Sequence, residues 1–485
     1  MNQDDFELVA GLEIHVQLHT DTKAFSGESF EYGAPPNTLV SPVTLGLPGA
    51  LPRLNARAVE LATRLGLALN CKIREKSYFA RKNYFYPDLP KGYQITQSET
   101  PLCYDGYLEI EDENGQPMRV GIERIHLEED AGKSLHDQDP YETLVDFNRA
   151  GAPLVEIVSR PDIRHPRQAY NYVARIRRLV RWLGVSDGNM EEGSLRCDAN
   201  ISVRPKGSPA LGTKVEVKNM NSFRHVMRAI EYEFERQTEA LLRGEKIHQE
   251  TRTFDAVQGL TLSMRSKEQA HDYRYFPEPD LPPLVLTPSF IQEQKAAMGH
   301  LPDDIKRLCL HEYGLSEYEA DRLSEERLLA DYFLKLLDCQ ATPKEAANWL
   351  LGPVSQWLNE QGQTLADFPL SPQRLATIIA LVRAEKVSHS QAAATLLPAA
   401  CLPENQDAGL EDLARALGIL MEEMEDHQLR QILLEILDNF PQKVAEYKNG
   451  KKGLQGFFMG ELMKKTGGRA NPKKAGQVLS ELLKN

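Results

Sequence analysis

The chain has 485 residues, of which 26% are charged and 41% hydrophobic, and its formal net charge is −13. This length exceeds what one compact core accommodates, so we expect two or three domains. The negative charge argues against a protein that coats nucleic acid with its whole surface, and we expect no DNA partner.

The first residues contain neither the basic stretch nor the apolar segment of a signal peptide. No apolar run approaches the roughly 18 residues that a membrane helix needs, so no membrane partner is expected. The six cysteines are scattered without paired spacing. These features predict reduced thiols in a cytoplasmic protein.

Residues 11–19 alternate apolar and polar side chains, which predicts a half-buried strand. Glu13 and His15 share its polar face, two residues apart. This spacing lets a carboxylate and an imidazole meet one cation.

Basic and aromatic side chains alternate in residues 81–88, and residues 272–276 have the same character. Aromatic faces can stack on bases while Lys and Arg meet phosphates, but aromatics packed beneath a loop give the same pattern. Residues 132–134 read Gly-Lys-Ser, yet Leu127 stands where a P-loop needs its first glycine, so we expect no P-loop.

Two further predicted strands carry carboxylates. Residues 124–130 end in Glu128, Glu129 and Asp130, and residues 153–158 embed Glu156 in an apolar run. A carboxylate flanked by Val and Ile in a strand needs a partner, and a divalent metal is a common one. With residues 11–19, these stretches indicate a metal site built from sheet carboxylates.

The segment of residues 191–221 predicts two strands separated by a glycine-containing turn. Their polar faces carry Arg196, Asp198, Asn200 and Ser202 on the first strand and Lys214, Glu216 and Lys218 on the second. Such a face is costly to leave dry and unpaired. It is either the solvated outer face of an antiparallel sheet or a polar catalytic floor.

Helices are predicted for residues 166–183 and 222–243, each followed by a glycine. The proline-rich stretch of residues 277–288 marks the first domain boundary, because it continues neither a helix nor a central strand. Only helices are predicted beyond it. The fold class is therefore α+β: a domain built mainly on antiparallel sheet (1–290), then an all-α helical domain (291–405) and an all-α tail (406–485).

Charge is uneven in the last part of the chain. Residues 401–440 contain ten acidic and two basic side chains, whereas residues 441–485 contain ten basic and three acidic ones. The basic end is a candidate phosphate-binding surface. Gly453, Gly456 and Gly460 leave one face of a predicted helix bare, which fits either close helix packing or the approach of an RNA backbone.

Seven long motifs follow one another along the chain, at residues 11–15, 47–52, 81–95, 127–133, 146–151, 191–200 and 272–280. In this order they resemble the GatB family, one of the subunits of the bacterial aspartyl/glutamyl-tRNA amidotransferases, from end to end, and residues 450–483 are similar to a YqeY-type tail. The resemblance implies a ligase whose first domain (1–290) is a cradle-like catalytic domain. It implies that ATP activates the side-chain carboxylate of misacylated Glu-tRNA(Gln) or Asp-tRNA(Asn) as an acyl phosphate, which ammonia converts to the amide. It also implies two partners from the same amidotransferase, a glutaminase subunit that supplies the ammonia and a third, small subunit.

The resemblance and the sheet carboxylates together predict Mg²⁺ as the metal cofactor. Its expected ligands are Glu13, His15, Glu129 and Glu156, with Glu128 in place of Glu129 if the strand ends one residue earlier. Asp198 and Glu216 complete the expected catalytic set. The expected nucleotide or acyl-end contacts are Lys82, Arg196, Lys214, Lys218 and Arg265. The expected tRNA contacts are Lys451, Lys452, Lys464, Lys465 and Arg469.

One departure from the family concerns zinc. Many members carry two cysteine pairs near the N-terminus, whereas Ser26, Glu28 or Ser29, Ser41 and Val43 stand at the matching places here. Thiolates are the ligands that such a site needs, so we expect no zinc and a loop held by packing. Two rival functions remain at this point: a catalytically silent tRNA-binding scaffold, and a metal-dependent hydrolase that turns over without ATP.

Overall fold

The computed structural model describes residues 3–136, 138–266, 273–421, 426–466, 470 and 472–484. The chain divides into two compact units, Met1–Leu301 and Pro302–Asn485. The first unit contains the described strands and four long helices, and the described part of the second is helical. The expected α+β class is confirmed. The three domain ranges expected from the sequence stay a prediction.

The strands of the first unit form one large sheet and three small ones. They are β1 (Phe6–Gln17), β2 (Lys72–Ile73), β3 (Lys76–Ser77), β4 (Ala80–Asn83), β5 (Tyr93–Thr96), β6 (Cys103–Glu111), β7 (Pro117–Glu129), β8 (Lys133–Leu135), β9 (Leu144–Asp146), β10 (Pro153–Ser159), β11 (Leu195–Pro205), β12 (Val215–Lys218), β13 (Glu250–Asp255), β14 (Leu260–Ser266), β15 (Phe276–Pro277) and β16 (Leu284–Val285). The large sheet has the order β14-β13-β12-β11-β1-β10-β7-β6-β2. Its neighbours are antiparallel except β12 and β13.

Helices cover one face of this sheet. They are α1 (Ala56–Ala68), α2 (Pro166–Trp182) and α3 (Phe223–Leu242), and α4 (Pro288–Met298) packs on α1. The predicted bounds of α2 and α3 are confirmed to within one residue, because the sequence carries their caps: His165 accepts a hydrogen bond from the amide of Arg167, and Ser222 accepts one from the amide of His225. Helix α3 packs on β11. The opposite face of the sheet is left to the polar side chains.

The register of β1 places these polar side chains in rows across the sheet. On one side, His15 pairs with Glu156 of β10, and Glu156 pairs with His126 of β7. On the other side, Glu13 pairs with Asp198 of β11. Directly opposed residues of antiparallel strands point to the same face, so these side chains meet.

The second unit is built from short helices. They are α5 (Pro302–Arg307), α6 (Glu317–Leu323), α7 (Arg327–Asp338), α8 (Pro343–Trp349), α9 (Ser355–Gln361), α10 (Pro372–Arg383), α11 (His389–Gln391), α12 (Leu397–Cys401), α13 (Leu410–Ala416), α14 (Asp426–Asn439), α15 (Pro441–Lys448), α16 (Leu454–Lys465) and α17 (Pro472–Lys484). Helices α14 to α17 share a buried core that includes Leu433, Phe458 and Leu479. Among the described residues, no helix has the length and apolar character needed to cross a bilayer.

Candidate active site

His15, Glu128 and Glu156 form a compact group on the polar face of the large sheet. The Nε2 atom of His15 lies 3.3 Å from Oε2 of Glu156 and 3.7 Å from Oε1 of Glu128. One ligand atom from each of the three residues lies within 4.8 Å of the others. Both carboxylates are buried, with 3% and 7% exposure for Glu128 and Glu156. Two carboxylates and one imidazole at this separation can hold a divalent cation.

His126 contacts the same two carboxylates from the neighbouring strand. Its Nε2 atom lies 3.5 Å from Oε2 of Glu156 and 3.6 Å from Oε2 of Glu128. Burial alone would lower the pKa of His126, but Glu156 and Glu128 raise it to about 9. In turn His126 and His15 hold the pKa of Glu156 well below its usual range, against the effect of burial. His126 belongs to no metal-binding motif in the sequence, although its place two residues before Glu128 puts both on one face of a strand.

A second acidic group lies beside the first on the same face. Glu13, Asp198 and Glu216 each bring one carboxylate oxygen within 4.8 Å of the others. The ammonium of Lys218 lies 2.6 Å from Oδ2 of Asp198 and 3.1 Å from Oε1 of Glu216. Asn200 donates a hydrogen bond of 2.7 Å to Glu13. Glu13, expected as a ligand together with His15, therefore stands in this second group.

Glu129 and Glu128 point to opposite faces of β7, because successive side chains of a strand alternate. The Glu129 carboxylate accepts a hydrogen bond of 2.9 Å from the amide of Ile95 and contacts the ammonium of Lys91. Of the two alternatives named from the sequence, Glu128 is the one that lies beside His15.

A cavity of about 860 Å³ opens over both acidic groups. It is lined by His15, Lys82, Glu128, Asp130, Arg196, Asp198, Lys218 and Tyr273, among others. Burial lowers the pKa of Lys82, but the charges of Glu128 and Glu156 outweigh it and raise that pKa. The Lys82 ammonium also lies 5.1 Å from the centre of the Tyr273 ring. Cations and carboxylates thus face each other across one polar cavity.

Arg196 stands at the edge of this cavity and is paired with Asp130. A terminal nitrogen of Arg196 donates a hydrogen bond of 2.8 Å to Oδ2 of Asp130, and Nε of Arg149 lies 3.5 Å from the same oxygen. The charge of Arg196 outweighs burial and lowers the pKa of Asp130. The two guanidinium groups are therefore held in place by one buried carboxylate.

Two further residues, Lys214 and Arg265, were expected to contact the cofactor. Lys214 is exposed just before β12 and is not among the residues that line the cavity in the described part of the chain. Arg265 lies in β14, where its backbone is paired with Thr251.

The N-terminal loop is held by polar contacts where packing alone was expected. Lys23 is fully buried, and its ammonium donates a hydrogen bond of 2.7 Å to the carbonyl of Leu39 and lies 3.7 Å from Oε1 of Glu28. The hydroxyl of Thr44 donates to the same carboxylate. Burial lowers the pKa of Lys23 to about 8, although Glu28 opposes the shift. An ammonium and a carboxylate thus tie the loop together at its centre.

The basic side chains of the tail lie on the surface of the second unit. Lys451, Lys464 and Lys465 pair with Glu446, Glu461 and Glu435, and the ammonium of Lys452 lies 4.4 Å from the centre of the Tyr447 ring. Arg469, also expected to contact tRNA, lies outside the described residues.

The glycines of α16 form an open face. Gly453, just before α16, and Gly456 and Gly460 within it are exposed, and apart from adjoining residues and the helix's own backbone no described atom lies within 4 Å of a Cβ built on any of them. Close packing of a neighbouring helix, one of the two explanations left open by the sequence, therefore does not account for them in the described part of the chain.

The chain matches two protein families. The family described as GatB/GatE catalytic domain matches residues 8–292, and the family described as GatB domain matches residues 331–483. Curated relatives named as the B-type subunit of aspartyl/glutamyl-tRNA(Asn/Gln) amidotransferase cover almost the whole chain. The proteins of Thermodesulfovibrio yellowstonii and Nitrosococcus oceani are 48% and 49% identical, each over 99% of both chains. The protein of Geobacter sulfurreducens is 47% identical over 99% of this chain and 100% of its own.

Proposed function

The chain belongs to the GatB family of aspartyl/glutamyl-tRNA amidotransferase subunits, and from this we propose that it is the ATP-dependent activating and amidating subunit of a ligase. Its substrates are Glu-tRNA(Gln) or Asp-tRNA(Asn). The side-chain carboxylate attacks the γ-phosphorus of ATP, ADP leaves, and an acyl phosphate forms. Ammonia then attacks the acyl carbon, phosphate leaves with the bonding pair, and loss of a proton completes the amide.

One observation carries this proposal: two acidic groups and several cations share the cavity over a single polar sheet face. Phosphoryl transfer asks a protein mainly for positioning and charge neutralisation. Buried carboxylates that face a cavity serve this purpose when they share a metal ion. A surface that only binds RNA does not need them, because isolated buried anions are costly.

The donor set fits Mg²⁺. Glu128, Glu156 and His15 would hold one ion, and Glu13, Asp198 and Glu216 offer a second set of oxygens. Carboxylate oxygens are the ligands that Mg²⁺ prefers, and their dense buried charge needs a cation. Bound there, Mg²⁺ would neutralise phosphate oxygens of ATP.

The cations around the cavity take complementary roles in this proposal. Lys82 of β4, in a small sheet, and Lys218 of β12, in the large sheet, line it and present ammonium groups to phosphate oxygens. Arg196, fixed by Asp130, orients the carboxylate of the aminoacyl group. Lys214 and Arg265 stay proposed contacts for the nucleotide or for the acyl end of the tRNA.

The tail is proposed to bind the tRNA backbone. Its open glycine face on α16 lets a phosphate chain approach closely, and lysines lie at both ends of this helix: Lys451, Lys452, Lys464 and Lys465. Arg469 is proposed for the same surface. The Lys–Glu pairs there are exposed, and exposed pairs contribute little energy, so the lysines can exchange their partners for phosphates.

The curated relatives are each named as one subunit of an amidotransferase, which implies an assembly. We propose a glutaminase subunit and a third, small subunit as the partners of this chain. The glutaminase would supply the ammonia by hydrolysing glutamine. A role in aminoacyl-tRNA synthesis also supports a cytoplasmic location.

ATP cleavage and amide formation by the reconstituted three-subunit complex test the proposal. With Glu-tRNA(Gln) and Mg²⁺, Glu13→Ala should lose both activities while tRNA affinity stays unchanged, and Glu109→Gln, at an exposed pair on the same sheet, serves as control. If Glu13→Ala keeps both activities, the carboxylate face is not the reaction site and a scaffold is the better description. Turnover without ATP would indicate a hydrolase.

A further inference from the structure

We propose that His126 is a positioning residue, which orients the carboxylates of Glu128 and Glu156 toward the cation they would share with His15. This inference rests on the proposed function, because it assumes that these carboxylates hold a metal ion. It adds a residue that lies on the buried side of the acidic group.

The two imidazoles contact different oxygens of the Glu128 carboxylate. Its Oε2 atom lies 3.6 Å from Nε2 of His126, whereas its Oε1 atom lies 3.7 Å from Nε2 of His15. A carboxylate contacted at both oxygens is restricted in its rotation about its last side-chain bond. One oxygen is thereby kept on the side of His15.

Glu156 lies between the two imidazoles. Its Oε2 atom is 3.5 Å from Nε2 of His126 and 3.3 Å from Nε2 of His15. The cross-strand register explains this, because His15, Glu156 and His126 are directly paired on three adjacent strands. Opposed side chains in such pairs have Cβ atoms about 4.5–5.5 Å apart, which keeps each ring against the carboxylate.

The second ring nitrogen of His126, Nδ1, shows that no other hydrogen bond orients this ring among the described residues. The residue is buried, at 6% exposure, and its Nδ1 atom has no hydrogen-bond partner among the described residues. The polar contacts of the ring that the structure shows are therefore those that Nε2 makes with the two carboxylates. Groups that orient metal ligands in this way typically change metal affinity by about 10- to 100-fold when removed.

Substitutions that move or remove one nitrogen test the proposal. In His126→Gln the amide nitrogen reaches the place of Nε2, in His126→Asn it reaches only that of Nδ1, and His126→Phe keeps the ring without nitrogen. Each full-length chain is titrated with Mn²⁺, bound ion is read by electron paramagnetic resonance, and thermal unfolding checks the fold. We expect about a 10- to 100-fold loss of Mn²⁺ affinity in the Phe and Asn variants. The Gln variant should stay within about fivefold of the wild type.

Activity gives a second readout. In the reconstituted complex, excess Mg²⁺ should restore most of kcat in His126→Phe, because the ligands themselves are unchanged. If this variant is folded and binds Mn²⁺ as the wild type does, the role of His126 is refuted. The role is also refuted if His126→Gln loses as much Mn²⁺ affinity as His126→Asn. This comparison tests the proposal even when His126→Phe does not fold.

The failure of the metal site itself would look different. If Glu156→Gln leaves the Mn²⁺ affinity of the wild-type chain unchanged, the carboxylates do not hold the ion. Both the proposed site and the positioning role are then overturned together.

Discussion

His15 and Glu156 face each other across adjacent antiparallel strands, with Nε2 of His15 3.3 Å from Oε2 of Glu156. Because β1 lies between β10 and β11, its side chains reach both acidic groups of the polar face. Glu13 and His15 are two residues apart on this strand, about 7 Å along its axis. The central strand therefore contributes one side chain to each of the two candidate cation sites.

Glu156→Gln should abolish ATP cleavage and amide formation. The substitution keeps the shape of the side chain but removes the charge that the cation needs. Since such charge stabilisation is worth several kcal/mol, we expect a rate loss of at least about 100-fold in single-turnover ATP cleavage. The exposed Glu109→Gln variant should react like the wild type. Unchanged cleavage by Glu156→Gln would show that this group does not act in phosphoryl transfer.

Glu128→Gln and Glu129→Gln form a matched pair on neighbouring positions of β7. Only Glu128 lies beside His15, whereas Glu129 contacts Ile95 and Lys91. We expect Glu128→Gln to raise the Mg²⁺ concentration for half-maximal ATP cleavage by about tenfold or more, and Glu129→Gln to leave it within about twofold. The reverse result would return the ligand assignment to Glu129.

The sequence predicted the polar face of the sheet but not which of its neighbouring carboxylates lies beside His15. Alternation identified Glu13, His15, Asp198 and Glu216 correctly as side chains of one face, because period two is a local property of strands. The choice between neighbouring carboxylates depends on where β7 sits against β10. Register is set by long-range pairing, which a single sequence does not display.

Other features escaped the sequence for similar reasons. His126 carried no motif of its own, and it matters because Glu156 is its cross-strand partner. Lys23 lies far along the chain from Leu39 and Phe147, whose carbonyls its ammonium approaches. The helices α2 and α3 were predictable, since their caps and apolar stripes are local.

Lys23→Met should destabilise the first unit. It removes the hydrogen bond to Leu39 and leaves the Glu28 carboxylate without its ammonium, and the break of such a buried pair costs about 3 kcal/mol. Denaturant unfolding of the full chain measures this loss. The double variant Lys23→Met with Glu28→Gln should recover part of the stability, because no uncompensated charge remains. Equal stability of the single variant and the wild type would contradict the role of the pair.

Glu319 should make the stability of the second unit depend on acid pH. The hydrogen bond from Lys344 lowers its pKa from 4.5 to about 2, with burial opposing and Ser316 contributing. A pKa lowered in the folded state gives stability that is fully present above about pH 4.5 and is lost as the pH falls toward 2.

Glu319→Gln should remove this dependence. Because Lys344 is exposed and screened by solvent, we expect a difference of only about 1–2 kcal/mol at pH 7. The difference from the wild type should shrink between pH 4.5 and 2, measured by urea unfolding at each pH. A constant difference over this range would rule out the ionised carboxylate as its source.

The open face of α16 gives a test of tRNA binding in which stability and affinity change in opposite directions. Gly456→Leu adds a side chain where no described atom lies within 4 Å, and replacing glycine inside a helix favours the helix by up to about 1 kcal/mol. The melting temperature should therefore stay equal or rise. Affinity for Glu-tRNA(Gln) should fall by about tenfold, because the leucine side chain prevents the close approach of the phosphate backbone to the helix. Gly476→Leu in α17, at another glycine with open space, is the matched control and should bind tRNA normally.

Lys452→Ala tests the same surface by its salt dependence, measured by filter binding at several salt concentrations. The slope of log affinity against log salt concentration should fall in magnitude by about 0.7–0.9 if this lysine contacts one phosphate. Normal affinity in Gly456→Leu together with an unchanged slope in Lys452→Ala would place the tRNA contact elsewhere in the chain.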